Sequence, residues 1–308
     1  MKKTYHLCLS AGDEILFRDF KDFNRGFNCF ALALFKTEST GLVEAFMSTH
    51  IHLLVQSSDP GGLMYNLRNP YSKYFNSKYQ RAGRLGEKYH FSMEVIGFNH
   101  MIAAASYVLR NAVHHGISPT PYAYPHCSAN AIFRREMGKF LDEKLISTDK
   151  YSGIIGRRAE YPDSYKMTES GIFLRESVLD IPQVENLFGT PRAFNFYMSR
   201  KTSEEWEAEQ EKDKGNQDPI TLSNIEKGIP LHSLNKMLSY ESGKADYRKI
   251  SDTELCIELD NMAQEKYAAK SVYRLSPKEK RMIAEELYRK RHLSESQIRR
   301  CLAYPKQK

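Results

Sequence analysis

The first 114 residues alternate strand-like and helix-like patterns so regularly that few architectures can accommodate them. Thr4 to Ser10 places Tyr5, Leu7 and Leu9 on one side, the period-two signature of a strand. Residues 17–36 carry Phe20, Phe23, Phe27, Phe30 and Leu34 at helical spacing. Residues 42–48 and 51–56 read as two strands joined almost without a gap. Residues 61–80 read as a helix that Pro70 kinks or restarts. A strand is expected over 89–96 and an Ala-rich helix over 99–114, stopped by Gly116 and then Pro119 and Pro121. The order β-α-β-β-α-β-α predicts an α+β fold built on a ferredoxin-like sheet with helices on one face.

The rest of the chain is less patterned. Residues 130–200 give no clear period. Lys201 to Pro219 is dense in charge and reads as a solvated helix end or linker. Beyond it, Ser251–Glu254, Ser276–Glu279 and Ser294–Gln297 each match a capping box, and Pro277 stands where a first helical residue belongs. A helix over 276–291, a short turn and a helix over 294–302 resemble a helix-turn-helix. The five cysteines are scattered without a Cys-x-x-Cys pair, which argues against a zinc ribbon or a disulfide framework and fits a reducing, cytoplasmic setting. The opening Met-Lys-Lys-Thr-Tyr-His lacks the apolar run of a signal peptide, and no apolar stretch is long enough to span a membrane. The net charge of +7 points weakly to a polyanion partner, and Tyr and Phe interleaved with Lys and Arg suit unstacked bases as well as a protein core.

The stretch richest in chemistry is Met47-Ser-Thr-His-Ile-His-Leu-Leu-Val-Gln56. His50 and His52 are two apart in a strand, so both leave the same face, where two neutral imidazole nitrogens can serve one divalent cation. The plainer alternative is a strand with two half-exposed histidines. Tyr107 and Asn111 are four apart on the last helix and share a face. There Asn111 can complete a metal site and leave Tyr107 beside it. The alternative is an ordinary tyrosine at a helix–sheet contact. His114, His115, His126 and Cys127 match no standard zinc spacing. The first two read as a helix end that favours cations.

Taken in order, these motifs resemble a known family. Thr49-His-Ile-His-Leu-Leu-Val55 looks like the HUH strand (His, bulky apolar residue, His) of single-tyrosine transposases. Tyr107-Val-Leu-Arg-Asn-Ala-Val-His-His-Gly116 looks like that family's tyrosine helix. Tyr74 to Arg84 is similar to the linker helix and turn of REP-associated tyrosine transposases. The resemblance covers residues 1–128. It departs where the family's proline before the first histidine is replaced by Met47-Ser-Thr, and where its Asn-Pro is Asn111-Ala112. It implies an HUH nuclease domain over 1–128, followed by an unassigned middle region and charged linker over 129–219 and a helical, helix-turn-helix-like extension over 220–308. It also implies Mg²⁺ or Mn²⁺ on His50, His52 and Asn111. Tyr107 would then be the nucleophile that forms a 5′-phosphotyrosine with single-stranded DNA.

The expected partners are single-stranded or hairpin DNA, and a homodimer is compatible with the sequence. Lys73, Tyr74, Lys78, Arg81 and Arg84 suit a backbone-tracking and stacking platform, or equally a solvated helix face over aromatic core. Arg289, Lys290, Arg291, Arg299 and Arg300 suit duplex or hairpin DNA, or simply a soluble helical surface. The rival functions are a replication-initiator nuclease with the same chemistry and a domesticated DNA-binding protein without it.

Overall fold

A computed structural model describes residues 1–140, 143–199, 209–213, 217–228, 250–291 and 293–304. Strands β1 (Lys3–Ser10), β2 (Thr40–Phe46), β3 (His50–Ser57) and β4 (Phe91–Glu94) form one antiparallel sheet in the order β2-β3-β1-β4. Helices α1 (Phe20–Lys36) and α2 (Pro60–Tyr79) connect them. Asp19 and Asp59 cap these helices through their side chains, and Pro70 lies inside an unbroken α2. The protein is therefore α+β, with the strand–helix alternation expected from the sequence.

The expectation of helices on one face needs correction. Phe46 of β2 packs on Phe27 and Phe30 of α1, which places α1 on that side of the sheet. Ala45, on the opposite side of β2, pairs with His52, and it is on this second face that α3 (Phe98–Leu109) packs against β2 and β3. The helix expected over 99–114 is broken at Arg110, where it restarts as α4 (Asn111–His114). The sheet is thus buried on both sides, which explains why β3 is nearly all buried instead of alternating.

The middle region closes the open edge of β2. Single bridges join Ala45 to Cys127 and Gly41 to Leu179, and the Phe46 amide donates to the His126 carbonyl. An unpaired edge would invite another chain, and this covering removes it. A Cβ on Gly41 would come within 2.8 Å of both Leu179 and Leu34, so the close approach requires glycine. Helices α5 (Ile181–Phe188) and α6 (Pro191–Ser199) bury Val184, Phe188, Phe194 and Met198 in the same core.

Helices α7 (Asp252–Tyr267), α8 (Pro277–Arg291) and α9 (Glu295–Leu302) build a second core around Leu255, Leu259, Ile283, Leu287 and Ile298. Both sides of the capping boxes at Ser251/Glu254 and Ser276/Glu279 form. The third is half a box: Ser294 accepts from the Gln297 amide, while the Gln297 side chain turns to Ile250 and Asp252. Ile15 inserts into this second core, and the fully buried Arg18 donates to Asp260 and to the Cys301 carbonyl, which locks the module to the sheet domain. Among the described residues, no helix is long and apolar enough to cross a membrane.

Candidate functional site

Strand register decides the site. Within the β1–β3 ladder Cys8 stands opposite His52 and Ser10 opposite His50, so His6 and Cys8 share the face of the His-x-His pair. His6 and His52 are joined through Nε2 and Nδ1 at 2.9 Å, their rings stacked. His50 Nε2 is 2.9 Å from Asn111 Oδ1, and its Nδ1 is 3.0 Å from Thr49 Oγ1. The amide oxygen can only accept, so without an ion His50 carries its proton on Nε2 and accepts from Thr49 at Nδ1; ligation through Nε2 would need the other tautomer, with Nδ1–H donating to Thr49 Oγ1. Of the predicted trio, His50 meets Asn111 and its ring lies 5.1 Å from that of His52.

Burial holds these imidazoles neutral. It lowers His50 to about 4, partly offset by Asn111, lowers His6 to about 3, and drives His52 well below the usual range. Neutral imidazoles have lone pairs to give, so protons do not compete for the site near pH 7. Two imidazole nitrogens and one amide oxygen could hold a divalent cation only with water or substrate oxygens in its remaining positions. His52 Nε2 is buried without a hydrogen-bond partner.

Tyr107 lies on α3 with its ring 5.6 Å from that of His114, and only 4% of it is exposed. The Arg110 guanidinium interacts electrostatically with it. His114 is lowered to about 4 by burial and keeps a buried Nε2 without a partner.

Sequence reasoning missed three neighbours. His6 was legible only through strand pairing. His115 was read as a helix end, yet its ring is 4.9 Å from that of His50. Glu226, whose Oε1 is 3.5 Å from His115 Nε2, had no signal at all. It lies just past the stretch read as a charged linker, in the part expected to be helical. Asp213 accepts from the His100 amide, the His100 ring and Asn99, and so caps α3, whose own N-cap, Gly97, has no side chain to do so. Gln217 bonds Glu94 and Ile96 at the end of β4, and Ile220 and Ile225 are buried.

The basic residues fare differently from one another. Lys78 is bound to Asp19 and Asp22, and Arg81 to Glu14 and nearby carbonyls. Tyr74 is half-buried beside Arg25 and Lys78, while Lys73 and Arg84 are exposed. In the C-terminal module Arg300 is buried in a two-point ion pair with Asp252, Arg299 pairs with Glu295, and Arg291 pairs with Glu258. Arg289 is exposed, and the Lys290 side chain lies outside the described ones.

No family model matches the sequence, and no curated protein matches it. Among solved structures, a REP-associated tyrosine transposase bound to a REP hairpin aligns with a TM-score of 0.38 and 10% identity, covering 48% of this chain and 95% of that one. A superposition that loose decides nothing, so the site stands on its own geometry.

Proposed function

We propose that the protein is a metal-dependent nuclease and strand transferase acting on single-stranded or hairpin-flanked DNA, with a ferredoxin-like HUH domain over 1–128. The observation that carries this reading is the 2.9 Å contact between His50 and Asn111, which brings the tyrosine helix onto the His-x-His strand. His50, His52 and Asn111 would hold Mg²⁺ or Mn²⁺. When bound, such an ion polarises the scissile phosphate and stabilises negative charge on its oxygens. The Tyr107 phenol oxygen attacks the phosphorus and loses its proton. The 3′-oxygen leaves, gains a proton, and the 5′-phosphate remains bonded to the tyrosine. A phenol is a weak nucleophile at neutral pH, and two neighbours assist. Arg110 compensates charge on the phenol oxygen, and the neutral His114 offers a ring nitrogen. The phosphotyrosine conserves one ester bond for each one broken, so attack by a second 3′-hydroxyl rejoins strands without ATP.

The test is covalent capture. Purified protein with Mn²⁺ and a labelled single-stranded oligonucleotide should give a denaturation-resistant adduct. That adduct should vanish with Tyr107→Phe and with EDTA, while DNA binding persists. An adduct that survives Tyr107→Phe overturns the nucleophile, and one that survives EDTA overturns the metal. The burial of Tyr107 favours one second reading, a DNA-binding protein that keeps the fold without the chemistry. It predicts binding and no adduct under any condition.

A further inference from the structure

A buried hydrogen-bond donor without a partner is costly, and a cation taken out of water without a counter-charge is costlier. The turn after Tyr107 concentrates both. Within residues 110–114, Arg110 Nε, Asn111 Nδ2 and His114 Nε2 are all buried with no hydrogen-bond partner among the described residues. Folded proteins leave few such atoms unpaired. The more deeply placed guanidiniums of Arg18, Arg175 and Arg300 each bind a carboxylate directly. Arg110, at the break between α3 and α4, is partly buried and has no such partner; the Tyr107 phenol alone offsets the cost of its burial. Arg110 follows Tyr107 by three residues, about one helical turn. The His114 amide donates to the Arg110 carbonyl, and the His114 ring lies 5.6 Å from that of Tyr107. Arg110 and His114 both keep partial exposure, which leaves a way in from solvent.

The chemistry of these donors selects the ligand. A guanidinium and an amide nitrogen only donate, so the ligand must accept. An uncompensated positive charge repels a cation and attracts an anion. The planar fork of a guanidinium matches phosphate oxygens, and a tetrahedral phosphate has several of them to spread over separate donors. We propose that Arg110, Asn111 and His114 form a binding site for a phosphate group of a DNA strand, beside the Tyr107 phenol. Asn111 then serves two groups with one amide, Oδ1 at His50 and Nδ2 at the phosphate. The anion site follows from the unpaired charge and donors alone, whereas its use as the seat of the phosphate that Tyr107 attacks rests on the function proposed above.

The experiment is a titration of the isotope-labelled full chain in EDTA, followed by NMR at the Arg110 Nε–H, with thermal melts alongside. The probes are inorganic phosphate, the dinucleotide thymidylyl-thymidine as a chain diester, and sodium chloride at equal ionic strength. Phosphate and the dinucleotide should each shift the resonance saturably, and chloride should not. Hydrogen bonds from charged donors are strong enough that Arg110→Gln should weaken phosphate binding by about tenfold or more, and Arg110→Lys should recover part of the loss. Without ligand the Gln variant should melt at or above the wild-type temperature, because an uncompensated charge has left a partly buried position. Phosphate should raise the Tm of the wild type more than that of the variant. A purely structural Arg110 would instead lower the ligand-free Tm on substitution and leave phosphate affinity unchanged, and that result overturns the proposal. So does a wild-type response to phosphate no larger than that to chloride, which needs no variant. Binding of phosphate but not of the dinucleotide overturns the assignment to a DNA strand. In the covalent capture assay, phosphate binding with no adduct supports the anion site and removes only the nuclease reading. An adduct as abundant from Arg110→Gln as from the wild type removes only the anion site.

Discussion

His126 shows how a single buried ring sets the pH response. It lies face to face with Phe23, ring centroids 3.7 Å apart, with Phe20 and Tyr124 beside it, and burial lowers its pKa to about 3. Unfolding returns it to the ordinary value near 6.5, so the unfolded chain takes up a proton that the folded one refuses. This part of the stability is complete above about pH 6.5 and is lost as pH falls from there through about 3. His126→Phe keeps the stack and removes the titration. Melts between pH 7 and 4 should therefore be flatter in the variant, by an amount on the order of a few kcal/mol. Parallel curves for the two proteins would mean that His126 is not held neutral.

Among the elements, α3 depends most on something outside itself. Its N-cap is Gly97 at φ 101°, and a Cβ there would meet the Asp213 carboxylate at 2.3 Å. Asp213 substitutes for the missing capping side chain and also binds the His100 ring, and its pKa is held below the usual carboxylate range by these bonds. Loss of a capping side chain costs about 1 kcal/mol, so Asp213→Ala should lower stability by about that amount. Because α3 carries Tyr107, hydrogen exchange should also quicken at its first turn and in residues 217–228. Unchanged exchange in both places would separate the cap from the segment.

At the scale of the whole molecule, a buried cation helps to fasten the C-terminal module to the sheet domain, beside Ile15 in the second core and the Ser48–Asp252 bond. Arg18 is fully buried, pairs with Asp260 at 2.8 Å, and lies between the rings of Tyr79 and Tyr273. Ser271 adds a bond to the Tyr79 carbonyl. Breaking a buried pair by removing one partner costs about 3–5 kcal/mol, so Arg18→Leu should cost roughly that much and expose the 250–304 module to limited proteolysis. Truncation after residue 220 would leave the same guanidinium without Asp260 and would also remove Glu226. It should therefore weaken the sheet domain as well as any hairpin contact. A truncated chain that melts like the full one would show that the docking contributes nothing.

Much was legible in the sequence because it depends on local period. The strand–helix order and the shared face of His50 and His52 follow from spacing along a single element, whereas the break at Arg110 puts Asn111 on α4 and Tyr107 on α3. Local capping chemistry likewise marked the starts of α7 and α8. What spacing cannot say is which elements meet. The placement of α3 on the face opposite α1, the stacking of His6 on His52 and the meeting of His115 with His50 depend on register between strands and on helix packing. So does the diversion of Lys78, Arg81 and Arg300 into internal ion pairs. Glu226 is the extreme case: a glutamate in a polar stretch has no local mark of burial. Only the long return of the chain past α3 and β4 brings its carboxylate to the histidines. Side-chain direction is a property of one segment, whereas desolvation and charge compensation belong to the packed whole.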